Sequence, residues 1–340
     1  MSTATELRAT AQAMVAAGIL AADESVATAT KRLNGVGVES TPDTRRAYRE
    51  MLLTSPGLGR FVSGVILFDE TLRQSTSDGT PFPELLAAEG IIPGIKVDTG
   101  AKPLAGHPGE TVTEGLDDLR KRIEEYVGLG ARFAKWRAVI TIGDGLPTRA
   151  CISANAHALA RYAALCQEGG LVPIVEPEVM MDGDHSLERC EQVTEETQRA
   201  VFNELADQGV DFAGMVLKPN MVISGKGAAT QAGVVEVAEA TLRCLRRTVP
   251  AEVPGVAFLS GGQSAEVATA HLNAINLAGP QPWELTFSYG RALQDPALAA
   301  WKGESSNVEA GQQALLQRAR ANAAARRGTY TEDMDASGVE

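Results

Sequence analysis

Charged side chains two positions apart recur at the ends of apolar segments in this chain. Three such pairs occur: Lys96 and Asp98, Lys135 and Arg137, and Glu176 and Glu178. Residues i and i+2 of a β-strand point to the same face, so both members of each pair face one side of a sheet. Amines and carboxylates gathered on one face are the groups that acid–base catalysis uses. Any one of these pairs could equally belong to a structural network of salt bridges with other residues.

A lysine ends another apolar run, in the segment MVLKPN, which contains Lys218. Positive charge from Lys135 and Arg137 would disfavour the ammonium form of Lys218, and burial would act in the same direction. A neutral amine can attack a carbonyl group and form a Schiff base. Glu176 could then protonate the departing hydroxyl, and Asp23 could remove a substrate proton. Together these groups suffice for carbon–carbon bond cleavage through an iminium.

Two glycine-containing segments predict an anion site. FLSGGQS places Gly261 and Gly262 directly after an apolar run, and SYGR places Arg291 after the next one. Phosphate groups in (β/α)₈ barrels frequently bind in the loops after the seventh and eighth strands. A second phosphate could meet Ser25, Thr28, Lys31 or Arg32 on the opposite side, although the segment ATKR could equally be a solvated helix face.

Eight short apolar runs alternate with longer helical patterns along the chain. The strand candidates are GILAAD (18–23), VSGVILF (62–68), IPGIKVD (92–98), RFAKWRA (132–138), LVPIVEP (171–177), FAGMVLKP (212–219), GVAFLS (255–260) and ELTFSYG (284–290). Eight strands alternating with helices favour a parallel sheet closed into a (β/α)₈ TIM barrel, with a doubly wound open sheet as the alternative. Pro177 and Pro219 cannot donate a ladder hydrogen bond, so we expect both at strand ends.

The same pattern predicts the domain organisation. Residues 1–327 form one barrel domain, whereas residues 328–340 have little apolar content and are predicted to be a mobile acidic tail. The regions 59–95 and 220–254 are less regular. The second of these contains SGKGAAT (224–230), which completes neither a dinucleotide fingerprint nor a Walker motif.

Composition limits the partners of the protein. Among 340 residues, 43 acidic and 31 basic side chains leave a net charge of −12, which argues against broad binding to nucleic acid or anionic membranes. The chain shows no signal-peptide pattern and no apolar run of about 18 residues, so we expect a cytoplasmic protein. Four widely spaced cysteines predict reduced packing thiols: Cys151, Cys166, Cys190 and Cys244. The four histidines have no short metal-ligand spacing, and no metal is predicted.

Eight longer segments resemble those of class I fructose-bisphosphate aldolases. They are ILAADES (19–25), TPFPELL (80–86), GIKVDTG (94–100), FAKWRAV (133–139), VPIVEPE (172–178), LKPNMV (217–222), FLSGGQS (258–264) and TFSYGRAL (286–293). They occur in order, and the likeness extends over almost the whole chain. Runs of this length are far more specific than a lone glycine motif.

The resemblance implies a role for each central charged residue. Lys218 is implied as the Schiff-base lysine, and Glu176 as the principal acid and base in forming and hydrolysing the carbinolamine. Asp23 is implied as the base for the C4 hydroxyl, with assistance from Lys135. Glu178 would orient Lys218 or the other acids.

The resemblance also implies a substrate. The activity is the reversible cleavage of fructose 1,6-bisphosphate to dihydroxyacetone phosphate and glyceraldehyde 3-phosphate, a lyase reaction of glycolysis and gluconeogenesis. The residues implied for the C1 phosphate are Ser260, Gly261, Gly262 and Arg291. Those implied for the distal part of the substrate are Lys96, Arg137, Ser25 and Arg32. Members of the family use no metal or organic cofactor, and they usually form homotetramers.

Two other kinds of protein share parts of this pattern. A non-catalytic sugar-phosphate-binding or scaffold protein would use the same barrel and loops, but it would not need an iminium-forming lysine beside Glu176 and Asp23. A metal-dependent aldolase is the enzymatic alternative, and loss of activity on chelation would favour it. Within the lysine class, another ketose phosphate could be the better substrate.

Overall fold

The predicted strands close into a barrel in the structure, a computed structural model that describes residues 3–336. The strands within that range are β1 (Gly18–Ala22), β2 (Val62–Leu67), β3 (Ile92–Lys96), β4 (Gly100–Pro103), β5 (Thr111–Glu114), β6 (Phe133–Ile140), β7 (Val172–Val179), β8 (Val216–Leu217), β9 (Gly255–Phe258) and β10 (Glu284–Tyr289). Eight of them form a closed parallel barrel in the order β1-β10-β9-β8-β7-β6-β3-β2. Because β1 pairs with β10, the (β/α)₈ prediction is confirmed and the open sheet is excluded.

Helices connect the barrel strands and surround them. They are α1 (Ala4–Met14), α2 (Val26–Gly35), α3 (Pro42–Leu53), α4 (Asp69–Leu72), α5 (Phe82–Ala88), α6 (Leu119–Gly128), α7 (Arg149–Glu168), α8 (Leu187–Asp207), α9 (Val234–Thr248), α10 (Ala265–Leu277), α11 (Arg291–Trp301), α12 (Val308–Ala325) and α13 (Asp333–Ala336). Side-chain caps define several starts: Thr148 accepts from Cys151 N at α7, and Ser186 accepts from Arg189 N at α8. Between residues 3 and 336 no helix has the length and apolar character needed to cross a membrane.

The apolar pattern does not predict the antiparallel hairpin of β4 and β5, which lies outside the barrel. Its strands are short and carry mainly small and polar residues. Thr113 of β5 donates from its hydroxyl to Arg137 O at 2.7 Å. The hairpin is therefore held by tertiary contact with β6, which sequence periodicity cannot report.

The bounds of several strands differ from the sequence prediction. β3 and β9 end two residues earlier than predicted, at Lys96 and Phe258. β6 and β7 continue two residues further, to Ile140 and Val179. β8 is shorter than predicted, because Phe212–Gly214 forms a 3₁₀ turn in place of the start of the strand. Lys218, which was predicted to lie within this strand, follows it directly.

Pro177 lies inside β7, which corrects the expectation that this proline marks a strand end. It is in register with Ala138 of β6. β7 pairs with β8 only through Ile174 and Val175. The ladder on the β8 side has therefore ended before Pro177, and the missing N–H interrupts no hydrogen bond there.

Inside the barrel, the inward-facing positions of β6 and β7 change from apolar to charged along the strand. On β7, Val172 and Ile174 belong to the interior apolar cluster, and Glu176 is the next residue on that face. On β6, Phe133 belongs to the same cluster and Lys135 follows it. The apolar end is closed by the buried face of α1. Strand alternation thus delivers the charges to the carboxyl ends of the strands, where barrel enzymes place their active sites.

The predicted packing role of the cysteines is confirmed, and part of the predicted tail has defined contacts. All four cysteines are buried free thiols. Tyr330 N donates to Asn273 Oδ1 at 3.0 Å, and the Tyr330 hydroxyl donates to Asp335. Asp335 also pairs with the buried Arg318 of α12. Residues 337–340 lie outside the described residues, and the mobility of the 328–340 segment stays a prediction.

Gly94 on β3 tests the packing of the barrel interior. It is in register with Phe133, and a β-carbon at Gly94 would lie 2.2 Å from two ring carbons of Phe133. Gly94→Ala is expected to lower the free energy of unfolding by about 1–3 kcal/mol, because a buried ring must shift. Urea denaturation measures the change. Gly128→Ala on α6 is the control, since its added methyl group meets no atom within 4 Å; equal stabilities of the two variants would contradict this packing.

Candidate active site

A cavity of about 760 Å³ opens at the carboxyl ends of the barrel strands. Its lining includes the predicted site residues Asp23, Ser25, Arg32, Lys96, Lys135, Arg137, Glu176, Glu178, Lys218, Ser260, Gly261 and Arg291. Gly262 is not a lining residue, but it follows Gly261 in the same loop. The fold therefore brings together residues that are spread over most of the chain.

Four buried charged side chains form the centre of this cavity. Lys135 Nζ is 2.6 Å from Asp23 Oδ2 and 3.4 Å from Glu176 Oε2. The other carboxylate oxygen, Glu176 Oε1, is 3.3 Å from Lys218 Nζ. Each of the four residues is at most 9% exposed. Glu176 thus contacts both lysines, and Lys135 contacts both carboxylates.

Burial and charge oppose each other at this centre. Burial alone would raise the pKa of Asp23, but the positive charges of Lys135 and Lys218 outweigh it and lower the pKa to about 2. Burial disfavours the Lys135 ammonium, but the negative charges of Asp23 and Glu176 raise the pKa of this lysine above its ordinary value. Burial would also raise the pKa of Glu176, and Lys218 and Lys135 lower it instead. Asp23, Lys135 and Glu176 are therefore ionised at neutral pH.

Lys135 and Arg137, the two cations predicted to act on Lys218, each contact carboxylates. Arg137 Nε donates to Glu178. Burial disfavours the Arg137 cation, yet Glu178 outweighs burial and raises the pKa of the guanidinium. Glu178 therefore contacts Arg137 directly.

The predicted pair of Lys96 and Asp98 is in contact, but only Lys96 belongs to β3, because the strand ends there and Asp98 lies in the turn that follows. Lys96 Nζ lies 2.7 Å from Asp98 Oδ1 and donates to Asp98 O at 3.0 Å. Asp98 Oδ1 also accepts from Gly100 N, and Asp98 Oδ2 accepts from Arg137 N. The aspartate therefore fixes the turn into the β4–β5 hairpin while it holds the lysine at the cavity wall.

A second ionic network holds the loop after β1. Glu24 follows the central aspartate directly and accepts from Arg49 at 2.7 Å and from Gln294 at 2.9 Å. Arg32 also donates to Glu24, and it reaches Asp295 of α11 at 2.6 Å. Ser25 is the N-cap of α2. Because three side chains bind Glu24, the loop that carries the central aspartate is held in one place.

Sequence reasoning missed Arg49, although a signal for it was available. Arg49 is buried, and so is Leu53 one helical turn later on α3. An arginine on the apolar face of a helix needs a buried partner. Its partner, Glu24, could not be identified without the fold.

The glycine-containing loop after β9 has the backbone shape of an anion site. Gly261 has φ +60° and Gly262 has φ +89°, a region that favours glycine. Arg291 is the first residue of α11, the helix that follows the neighbouring strand β10. Ser288, which sequence reasoning passed over within SYGR, also lines the cavity. Its buried hydroxyl has no hydrogen-bond partner among residues 3–336, so it is free to bind a ligand oxygen.

The donor set at the centre is suited to amine chemistry. Within the part of the chain that the structure describes, no three His, Cys, Asp or Glu side chains are grouped so that they could hold a metal ion. A lysine in contact with a carboxylate combines a nucleophile with an acid or base. The fold and the site together define a barrel enzyme built for carbonyl chemistry on a phosphorylated ligand.

Comparison with known proteins agrees with that class. The sequence pattern of the family described as Fructose-bisphosphate aldolase class-I matches residues 6–340. The chain is 60% identical over 328 residues to the "Probable fructose-bisphosphate aldolase class 1" of Xanthomonas campestris pv. campestris, covering 96% of this chain and 98% of that protein. It is 52% identical to "Fructose-bisphosphate aldolase 4, cytosolic" of Arabidopsis thaliana, covering 93% of this chain and 81% of that protein.

A solved structure is similar as well. Fructose-bisphosphate aldolase from Plasmodium falciparum, solved in complex with TRAP and a small molecule inhibitor, superimposes with a TM-score of 0.96 at 49% identity. The alignment covers 97% of each chain. This chain therefore belongs to the class I fructose-bisphosphate aldolase family, and as a member of that family it is a lyase.

Lys135→Met tests the cause of the low Asp23 pKa. Without the Lys135 ammonium group, less positive charge opposes the effect of burial on Asp23. The pKa of Asp23 is therefore expected to rise from about 2 towards or above its ordinary value of 3.8. Carboxyl ¹³C NMR titration measures it. Lys102→Met, at an exposed position of β4, is the control and is expected to leave the value unchanged. A pKa still near 2 in Lys135→Met would show that the contact is not the cause.

Proposed function

We propose that this chain cleaves fructose 1,6-bisphosphate reversibly through a Schiff base on Lys218. The observation that carries the proposal is the 3.3 Å contact between Lys218 Nζ and Glu176 Oε1, inside a buried group at the mouth of the barrel. A lysine in this position has a proton acceptor and donor within reach during imine formation. The relatives named as class 1 aldolases support the same reaction.

Formation of the Schiff base begins with proton transfer. Glu176 takes a proton from the Lys218 ammonium, and the free amine attacks the C2 ketone of the open-chain sugar. The resulting carbinolamine loses its hydroxyl as water when Glu176 returns the proton. One C–N double bond replaces the C–O double bond, and the positive charge now lies on the iminium nitrogen. Glu176 is suited to both transfers, because Oε1 lies 3.3 Å from Lys218 Nζ and Oε2 has no hydrogen-bond partner among residues 3–336.

Cleavage uses the iminium as an electron sink. Asp23 accepts the proton of the C4 hydroxyl, the C3–C4 bond breaks, and its electron pair moves into the iminium to form a neutral enamine. Glyceraldehyde 3-phosphate leaves first. The enamine then gains one proton at C3 and Asp23 releases the one that it accepted, so no net proton is consumed. Water adds to the iminium carbon, and release of dihydroxyacetone phosphate regenerates Lys218. Lys135 keeps Asp23 ionised before the step, and the lysine chemistry uses no metal or organic cofactor.

The substrate lies across the mouth of the barrel in this proposal. The C1 phosphate is bound by Ser260, Gly261, Gly262, Ser288 and Arg291. The distal part of the substrate is bound by Lys96, Arg137, Ser25 and Arg32. Lys96, Arg137 and Arg32 each contact a carboxylate, so a phosphate group shares these cations with Asp98, Glu178, Glu24 and Asp295.

The proposal extends to the setting of the reaction. The enzyme acts in glycolysis and gluconeogenesis in the cytoplasm, and it assembles as a homotetramer. The resemblance to the aldolase family supports the tetramer, and a relative named cytosolic supports the compartment. Light scattering after gel filtration would measure the assembly, and a mass near that of one 35.8 kDa chain would rule the tetramer out.

Borohydride trapping tests the Schiff base directly. Dihydroxyacetone phosphate and sodium borohydride are expected to leave one reduced adduct on Lys218, located by peptide mass spectrometry, because reduction makes the imine permanent. Lys218→Ala should give no adduct, whereas Lys102→Ala, an exposed control, should give the wild-type amount. Phosphate-dependent binding without an adduct would favour a non-catalytic binding protein. Activity lost on chelation, again without an adduct, would favour a metal-dependent aldolase.

Gly262→Ala tests the C1 phosphate loop. At φ +89° an alanine is strained, and its β-carbon would lie 3.1 Å from Arg291 Nη2. The KM for fructose 1,6-bisphosphate is expected to rise about tenfold, with a smaller change in kcat, because ground-state phosphate contacts are lost. Gly279→Ala is the matched control, since it has φ +92° but no atom within 4 Å of the added methyl group. Equal KM values in the two variants would contradict this role of the loop.

A further inference from the structure

SGKGAAT (224–230) places a cation beside the glycine loop that the mechanism above does not use. A β-carbon at Gly262 would lie 3.1 Å from Lys226 Nζ as well as 3.1 Å from Arg291 Nη2. The two cationic nitrogens are therefore no more than twice that distance apart. Phosphate oxygens accept charge-assisted hydrogen bonds of about 2.7–2.9 Å. A single phosphate beside Gly262 can thus contact both Lys226 and Arg291.

The backbone of this segment is fixed against the loop that follows β7. The N–H groups of Gly225, Lys226 and Gly227 donate to His185 O, Met181 O and Gly183 O at 2.8, 2.8 and 2.7 Å. Glycine is required at position 225, because a β-carbon there would lie 2.5 Å from Gly183 O. The place of the Lys226 α-carbon is therefore set by the fold, and it is not that of a lysine on a free surface loop.

The side chain of Lys226 forms only a weak, solvent-exposed ion pair. Its Nζ lies 3.4 Å from Asp182 Oδ1, with 47% of the lysine side chain and 60% of the aspartate side chain exposed. Exposed ion pairs of this kind contribute little, about 0–1 kcal/mol. The ammonium can therefore move from Asp182 to a phosphate at small cost, in contrast to the buried pairs at the centre of the site.

We propose that Lys226 is a specificity-determining residue that favours ligands with a phosphate group on C1, where it acts as a second cation opposite Arg291. This inference rests on the proposed function, since the position of the phosphate is taken from Gly261, Gly262 and Arg291. Lys226 lies outside the cavity lining and touches no reacting atom. Its contact is made in the substrate complex and in the transition state alike, so it lowers KM and leaves kcat unchanged.

Steady-state kinetics of the full chain tests the proposal. Lys226→Gln is expected to raise the KM for fructose 1,6-bisphosphate and the inhibition constant of inorganic phosphate about fivefold to tenfold, because one charged hydrogen bond is lost. The kcat should stay within about twofold. Lys226→Arg keeps the charge and should stay close to wild type. Lys121→Gln, which removes an exposed lysine of α6, is the matched control and should change neither constant.

Removal of the Asp182 carboxylate is expected to change the KM in the opposite direction. Asp182→Asn is expected to lower the KM about twofold to threefold, because the Asp182 carboxylate no longer competes with the substrate phosphate for the Lys226 ammonium group. In the Lys226→Gln background the same substitution should have no further effect. An equal effect of Asp182→Asn in both backgrounds would overturn the assigned coupling.

Borohydride trapping with two ligands separates a phosphate contact from a structural role. At subsaturating ligand, Lys226→Gln should reduce the adduct formed with dihydroxyacetone phosphate and leave that formed with dihydroxyacetone unchanged. A loss with both ligands would overturn the proposal in favour of a structural role. Unchanged KM and inhibition constants, in a protein whose wild type is still labelled at Lys218, would overturn this inference alone. Absence of the Lys218 adduct from the wild type would overturn the proposed function instead.

Discussion

Mutual neutralisation of four buried charges is the constraint on which the site depends. Asp23, Lys135, Glu176 and Lys218 are all buried, and every cation among them lies within 3.4 Å of a carboxylate oxygen. Removal of one partner from a buried ion pair typically costs about 3–5 kcal/mol, because the other charge is left uncompensated. The contacts that make burial tolerable are the same ones that place an acid and a base beside the lysine. Stability and chemistry are therefore inseparable in this group.

The barrel satisfies that constraint by the order of residues on its inward faces. Phe133 precedes Lys135, and Ile174 precedes Glu176, so each strand adds an apolar layer before it adds a charge. The apolar layers exclude water from below the charged group, which strengthens its internal electrostatics. Strands from different parts of the chain reach the same level because they are in register. In the backbone ladder of β6 and β7, for example, Arg137 is in register with Glu176.

Around this buried centre, the ion pairs of the other cations range from buried to solvent-exposed. Arg49 is buried and binds Glu24 at 2.7 Å, so it fixes the loop that carries the central aspartate. Arg32 and Lys96 contact carboxylates at the cavity wall, and Lys226 contacts only an exposed one. Rigid pairs suit groups that must keep one geometry for proton transfer, whereas weak pairs suit groups that must exchange one anion for another.

The sequence by itself determined which residues face the cavity, because strand alternation and the apolar runs already assign Lys135, Glu176 and Lys218 to inward positions at strand ends. It also favoured a (β/α)₈ barrel and predicted packing roles for the cysteines, but closure of the barrel was decided only by the pairing of β1 with β10. Only the tertiary structure decided the partners: Glu178 contacts Arg137, Arg49 contacts Glu24, and Lys226 approaches the glycine loop. These contacts join residues that are far apart in the chain, and they depend on strand register and loop packing. Local periodicity carries no information about either, and for the same reason it could not place Pro177 or predict the β4–β5 hairpin.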